Sequence, residues 1–154
     1  MKPAFLTFLL LSLSFYTSMT VVAQDFPSFM AKSKSIVEAK DTKLKLVVRE
    51  EKEKEGVYIW SLGLGPEVPG IRLRISYGAS AQEAAERMQS VINFLPVGPG
   101  PALKGLGDEA YIYKGLRTTN IRFRKSKVFV DISAPSEEMA KDIANKLADL
   151  VPGK

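Results

Sequence analysis

The sequence predicts an α+β domain, a two-layer structure in which an antiparallel sheet is covered on one face by two amphipathic helices. Three observations carry that expectation. Short runs alternate apolar with polar residues in 43–49 and 71–77, and strand-forming β-branched and aromatic residues recur in 57–62, 110–114, 118–125 and 128–133. Two other stretches, 80–95 and 135–150, space their apolar residues at helical intervals. The connections within each group of strands are short, which makes consecutive strands pair antiparallel.

Taken in order, residues 25–39 place Phe26, Phe29, Met30 and Val37 near helical spacing, with Asp25 ahead of Pro27 as the start. In 43–49, Leu44, Leu46 and Val48 point to one side and Lys43, Lys45 and Arg49 to the other. The charged stretch 50–56 then reads as a hairpin connection. Val57 to Leu62 form the return strand, and the glycines and prolines of 63–70 break it. In the third strand Ile71, Leu73, Ile75 and Tyr77 alternate with Arg72, Arg74 and Ser76. Ser80 and Glu83 make a capping box for a helix whose stripe is Ala81, Ala84, Ala85, Met88, Val91, Ile92 and Leu95. Prolines 96, 99 and 101 end it and form a linker inside the domain. The last helix buries Met139, Ile143, Leu147 and Leu150. Each half thus reads strand, strand, strand, helix, as a duplication of a βββα unit would leave it, although strand-to-helix junctions also reuse serine caps for the same physical reason without duplication.

Lys2, the apolar run 4–15 and the exit Val21-Val22-Ala23 have the layout of a secretory signal peptide. The apolar run is short of the about 20 residues a membrane span needs, which favours cleavage after Ala23 over retention as an anchor. The expected mature chain, 24–154, is one domain without a transmembrane span, secreted or periplasmic. Losing Lys2 lowers the formal net charge from +5 to +4, a mild excess. No cysteine is present, so neither a disulfide nor a lipid-bearing cysteine exists.

The chain has no histidine, which removes histidine-based triads and the usual zinc, copper and iron ligand sets. No nucleotide loop, calcium loop or nucleophile elbow is present, so no cofactor and no metal is expected. The most distinctive string is Gly105-Leu106-Gly107-Asp108-Glu109-Ala110-Tyr111. Asp108 and Glu109 could bind a cation or a substrate amine, but turn chemistry alone accounts for these residue types. Lys114, Arg117, Arg122, Arg124, Lys125 and Lys127 fall between Ala110 and Val130 with no acid among them. Arg122 and Arg124 could therefore meet an anionic envelope component or an acidic protein, or simply lie on a solvated sheet face. Nucleic acid is not expected, since few aromatics interleave with the charges. Trp60, Tyr58, Tyr77, Tyr111 and Tyr113 could line a groove, although packing is the commoner fate of strand aromatics.

The string 105–111, followed by strands through Val130 and a helix opening near Ser136, resembles a loose group of small bacterial exported proteins and lipoproteins of unknown function. The resemblance covers about residues 103–150 and implies an extracytoplasmic α+β domain of binding or sensing type, with no catalytic residues to carry over. The reading that follows is a non-enzymatic binding or interaction domain of the cell envelope. Its alternatives are a small hydrolase or lyase using Asp108 and Glu109, and a structural subunit that buries one sheet edge or face against another chain.

Overall fold

The computed structural model describes residues 25–63, 70–96 and 98–152. The expected signal segment, 1–23, lies outside them, as do residues 64–69 of the break after the second strand. The elements run α1 (Phe26–Glu38), β1 (Lys45–Glu51), β2 (Glu55–Ser61), β3 (Ile71–Tyr77), α2 (Ala81–Asn93), β4 (Glu109–Lys114), β5 (Thr119–Lys125), β6 (Val128–Ala134) and α3 (Glu137–Leu150). All six strands join one antiparallel sheet in the order β1-β2-β3-β6-β5-β4. The α+β class and the antiparallel sheet are as the sequence predicts.

Helix starts follow local chemistry. Asp25 accepts from Ser28 N at 2.8 Å, Ser80 from Glu83 N at 3.1 Å and Ser136 from Met139 N at 3.2 Å, each oxygen satisfying an amide that lacks an intrahelical partner. Glu83 reaches back past the cap to accept from Ala79 N, one residue earlier than the cap amide that a capping box would engage.

Two helices do cover one face, but they are α1 and α3. On that first face Phe29, Trp60, Leu73, Ile75, Ile121, Phe123, Val130, Ile132, Ile143 and Leu147 form the main core, none of them exposed. Helix α2 lies on the second face, where Met88 and Ile92 pack on Phe129 with Val91 and Tyr111 beside them. The strands repeat about the β3–β6 seam as two βββ units would, while the helices that follow them leave to opposite faces. The polar second face of β3 and β6, with Arg72, Arg74 and Asp131, needs only a narrow apolar cover, and α2 supplies it. The space beside α3 goes to α1, whose Phe26 and Phe29 meet Tyr77 edge-on at 5.3 and 5.5 Å.

Two buried faces differ from expectation. The register passes from Leu46 opposite Trp60 to Val48 opposite Ile59, a bulge that turns Val48 to the second face and Arg49 and Glu51 toward Tyr58 on the first. Simple alternation had placed Leu46 and Val48 together. In α3 the deepest residues are Ala140, Ile143, Ala144, Leu147 and Ala148, with Met139 and Leu150 only partly covered. The alanines let this helix lie close to the sheet, so its contact stripe is centred on them.

Glu137, in the first turn of α3, is held by Lys114 from β4 and by Lys141 one turn on. Hydrogen bonds from Lys114 and then Lys141 push its carboxyl down to about 2 from an ordinary 4.5. A depressed carboxyl contributes stability above its unfolded value and loses it as pH falls through its folded one. Glu137→Gln is therefore expected to lower stability at pH 6 and to leave it nearly unchanged at pH 2, as read by denaturant midpoints at the two pH values.

Candidate functional site

The second face carries a charged row built by strand register. Arg74 of β3 stands opposite Asp131 of β6, which stands opposite Arg122 of β5, and Arg72 projects from the same face two residues along β3. Asp131 and Arg122 are 5% and 4% exposed. Arg122 Nε lies 3.3 Å from Asp131 Oδ1, and Arg72 Nη2 lies 3.6 Å from Asp131 Oδ2. Charge meets charge here without hydrogen-bond alignment, since Arg122 Nε and Asp131 Oδ1 are buried with no hydrogen-bond partner among the described residues. Arg74 is exposed and belongs to no ion pair among the described residues. Three guanidinium groups thus face one carboxylate.

Above this row α2 ends. Its C-cap is Phe94, ahead of Pro96, and Val91, Phe94 and Leu95 line one cleft with the arginines, together with Val57 of β2. The result is an open cleft of about 350 Å³ with a cationic floor and an apolar wall. Phe94 is 86% exposed, an uncommon position for a large aromatic side chain.

The residues singled out from the sequence divide between this cleft and a separate turn. Arg122 lies in the cleft floor. Arg124 instead pairs with Asp108 at 3.1 Å and approaches Glu109 at 3.7 Å. Asp108 Oδ2 also accepts from Ser126 N at 2.7 Å, supporting the left-handed Ser126 (φ 51°) in the β5–β6 turn, and Asp108 N donates to Arg124 O at 2.7 Å. Glu109 accepts from the Tyr111 hydroxyl at 3.0 Å. The two acids are occupied as a latch between the 105–111 turn and the end of β5, although they also line a shallow dish of about 350 Å³ formed by residues 102–111.

The glycines of that turn differ in what they permit. Gly105 (φ +82°) faces open space, whereas a Cβ on Gly107 (φ +64°) would stand 2.4 Å from Arg124 O. Gly105→Ala is expected to cost the about 1–2 kcal/mol of a left-handed non-glycine residue. Gly107→Ala should cost clearly more, because backbone must move as well. Guanidinium unfolding midpoints of the two variants check this, and equal losses would contradict the close approach.

The basic run 114–127 is largely spent inside the fold. Lys114 pairs with Glu137, Arg122 with Asp131, Arg124 with Asp108 and Glu109, and Lys125 Nζ donates to Ala148 O near the end of α3 at 2.8 Å. Of the strand aromatics, Trp60, Tyr58 and Tyr77 belong to the core, and Tyr111 and Tyr113 lie half-buried on β4. Arg72 and Arg74 escaped sequence reasoning because they looked like the solvent side of an alternating strand. Asp131 was the available signal, an acid set among Val128, Phe129, Val130 and Ile132 that burial would force to find a cation.

Among the described residues no group of three or more potential metal-ligating side chains comes together, and no helix is long and apolar enough to cross a membrane. The fold and cleft together define an α+β domain with helices on both faces of one antiparallel sheet and a cationic cleft beneath the end of α2. No family model and no curated protein matches the chain. A solved structure of a GTP-binding regulator from Thermotoga maritima is similar over 79% of this chain and 88% of that chain, at 13% identity and a TM-score of 0.49.

Proposed function

We propose that this chain is an exported, non-catalytic binding domain that takes an anionic group of its partner at Arg72, Arg74 and Arg122. The observation that carries the reading is the excess charge of the cleft, three arginines against Asp131 among the described residues that line it, with Arg74 exposed. Guanidinium groups suit this task because their donors sit in a fixed fork matched to oxyanions. The carboxylate-enzyme alternative has less support, since Asp108 and Glu109 are engaged by Arg124, Ser126 and Tyr111. Export rests on the layout of residues 1–23 and on the resemblance of 103–150 to exported bacterial domains.

The test is retention of the purified protein on envelope fragments of its host, washed at rising salt. Retention that falls steeply with salt and is lost in Arg72→Ser/Arg74→Ser supports the reading. Retention indifferent to both counts against it. N-terminal sequencing of the protein recovered from the host is expected to begin at Gln24, and a chain beginning at Met1 would overturn the cleavage.

A further inference from the structure

We infer that the cleft beneath the end of α2 is a site for a small phosphate monoester whose ester group is compact and apolar, an aryl phosphate being the simplest member. This rests on the reading of the arginine cleft as the anion site and names what fills it.

The charge count selects the head group. Arg72, Arg74 and Arg122 exceed Asp131 by two positive charges, and a phosphate monoester carries about −1.5 to −2 at neutral pH. A carboxylate would leave about one positive charge facing no anion. The layout agrees. Arg72 and Arg74 stem from backbone about 7 Å apart along one strand, and Arg122 stems from two strands away, about 10 Å from Arg74, so the three side chains rise from the corners of a triangle. Three terminal phosphate oxygens can each meet a corner, whereas the two oxygens of a carboxylate are satisfied by one guanidinium fork. The buried Arg122 Nε, lacking an aligned hydrogen bond, and Arg74, which joins no ion pair among the described residues, leave donor capacity that Asp131 does not use.

The wall selects the remainder of the ligand. Val91, Phe94 and Leu95 line the same cleft as the arginines, and the exposed ring of Phe94 gains cover when an apolar group enters beside it. A cleft of about 350 Å³ falls at the small end of ligand sites, room for a phosphate and one ring rather than for a long chain.

The test is calorimetric titration of the purified protein with phenyl phosphate, inorganic phosphate and benzoate at low salt. Phenyl phosphate is expected to bind at least tenfold more tightly than either of the others. Arg74→Met should weaken it tenfold or more without moving the unfolding midpoint, and Phe94→Ser should bring it down to the level of inorganic phosphate. Benzoate binding as tightly as phenyl phosphate would overturn the phosphate assignment while leaving an anion site. Inorganic phosphate binding equally well would overturn the apolar half. If none of the three binds while salt-sensitive envelope retention still depends on Arg72 and Arg74, this inference fails alone. If that retention is absent too, the anion-site reading falls with it.

Discussion

Replacing Asp131 by alanine is expected to cost about 3–5 kcal/mol of folding stability, the range for leaving one member of a buried ion pair without its partner. Asp131 is the carboxylate that Arg122 faces at 3.3 Å, and Arg122 is 4% exposed beneath α2 with no second acid in contact among the described residues. Without Asp131 the guanidinium, all but covered, must either stay charged without its carboxylate or turn out toward the cleft and disturb the contact between α2 and β5. Arg122→Met/Asp131→Leu, which removes both charges and keeps the volume, is expected to recover most of the loss. Guanidinium unfolding of the wild type, the single variant and the pair decides the matter. A loss under about 1 kcal/mol for Asp131→Ala would mean that water reaches Arg122 more freely than its burial implies.

Trp60→Ala should be comparably severe, about 3–5 kcal/mol for a large aromatic truncated in a packed core. Trp60 is fully buried on the first face of β2, its ring centroid 5.5 Å from that of Tyr58, and its Nε1 donates to Glu38 at the end of α1 at 3.3 Å. The substitution therefore removes packing and also the hydrogen bond that ties α1 to the sheet. Far-UV circular dichroism is the proper readout, because Trp60 is the chain's one tryptophan and its fluorescence disappears with it. Trp60→Phe should lose much less, and a small loss for alanine would contradict a core centred on this residue.

Much of the backbone was legible in the sequence for identifiable reasons. Alternation located β3 at Ile71–Tyr77, and the serine caps located the starts of α2 and α3. These features depend on residues a few positions apart. What was not legible depends on contacts between distant segments. The bulge between Leu46 and Val48 exists because β1 pairs with β2 out of simple step, and nothing in the run of 43–49 announces it. Which face receives α2 is decided by the competition of α1 for the ground beside α3, a matter of three-dimensional fit. The site followed the same rule. Arg122, Arg124, Asp108 and Glu109 drew notice as a basic run and an acidic turn close together in the chain, yet Arg124 and the two acids satisfy one another. Arg122 found its companions in Arg72 and Arg74, about fifty residues earlier, which only the pairing of β3 with β6 brings near.

That pairing has a consequence for how the molecule is put together. Strands β1 to β3 pair in sequence, as do β4 to β6, and the two meanders share only the ladder in which Arg72 meets Ser133 and Tyr77 meets Val128. The chain between them passes Gly98, which lies in none of the six strands. Each meander closes short loops, whereas the seam must close one of roughly sixty residues, the slower and entropically costlier event. A chain nicked near Gly98 would keep every ladder and behave as two complementary fragments, whose reunion at β3 and β6 would become second order in concentration and would reassemble the arginine cleft as it occurred.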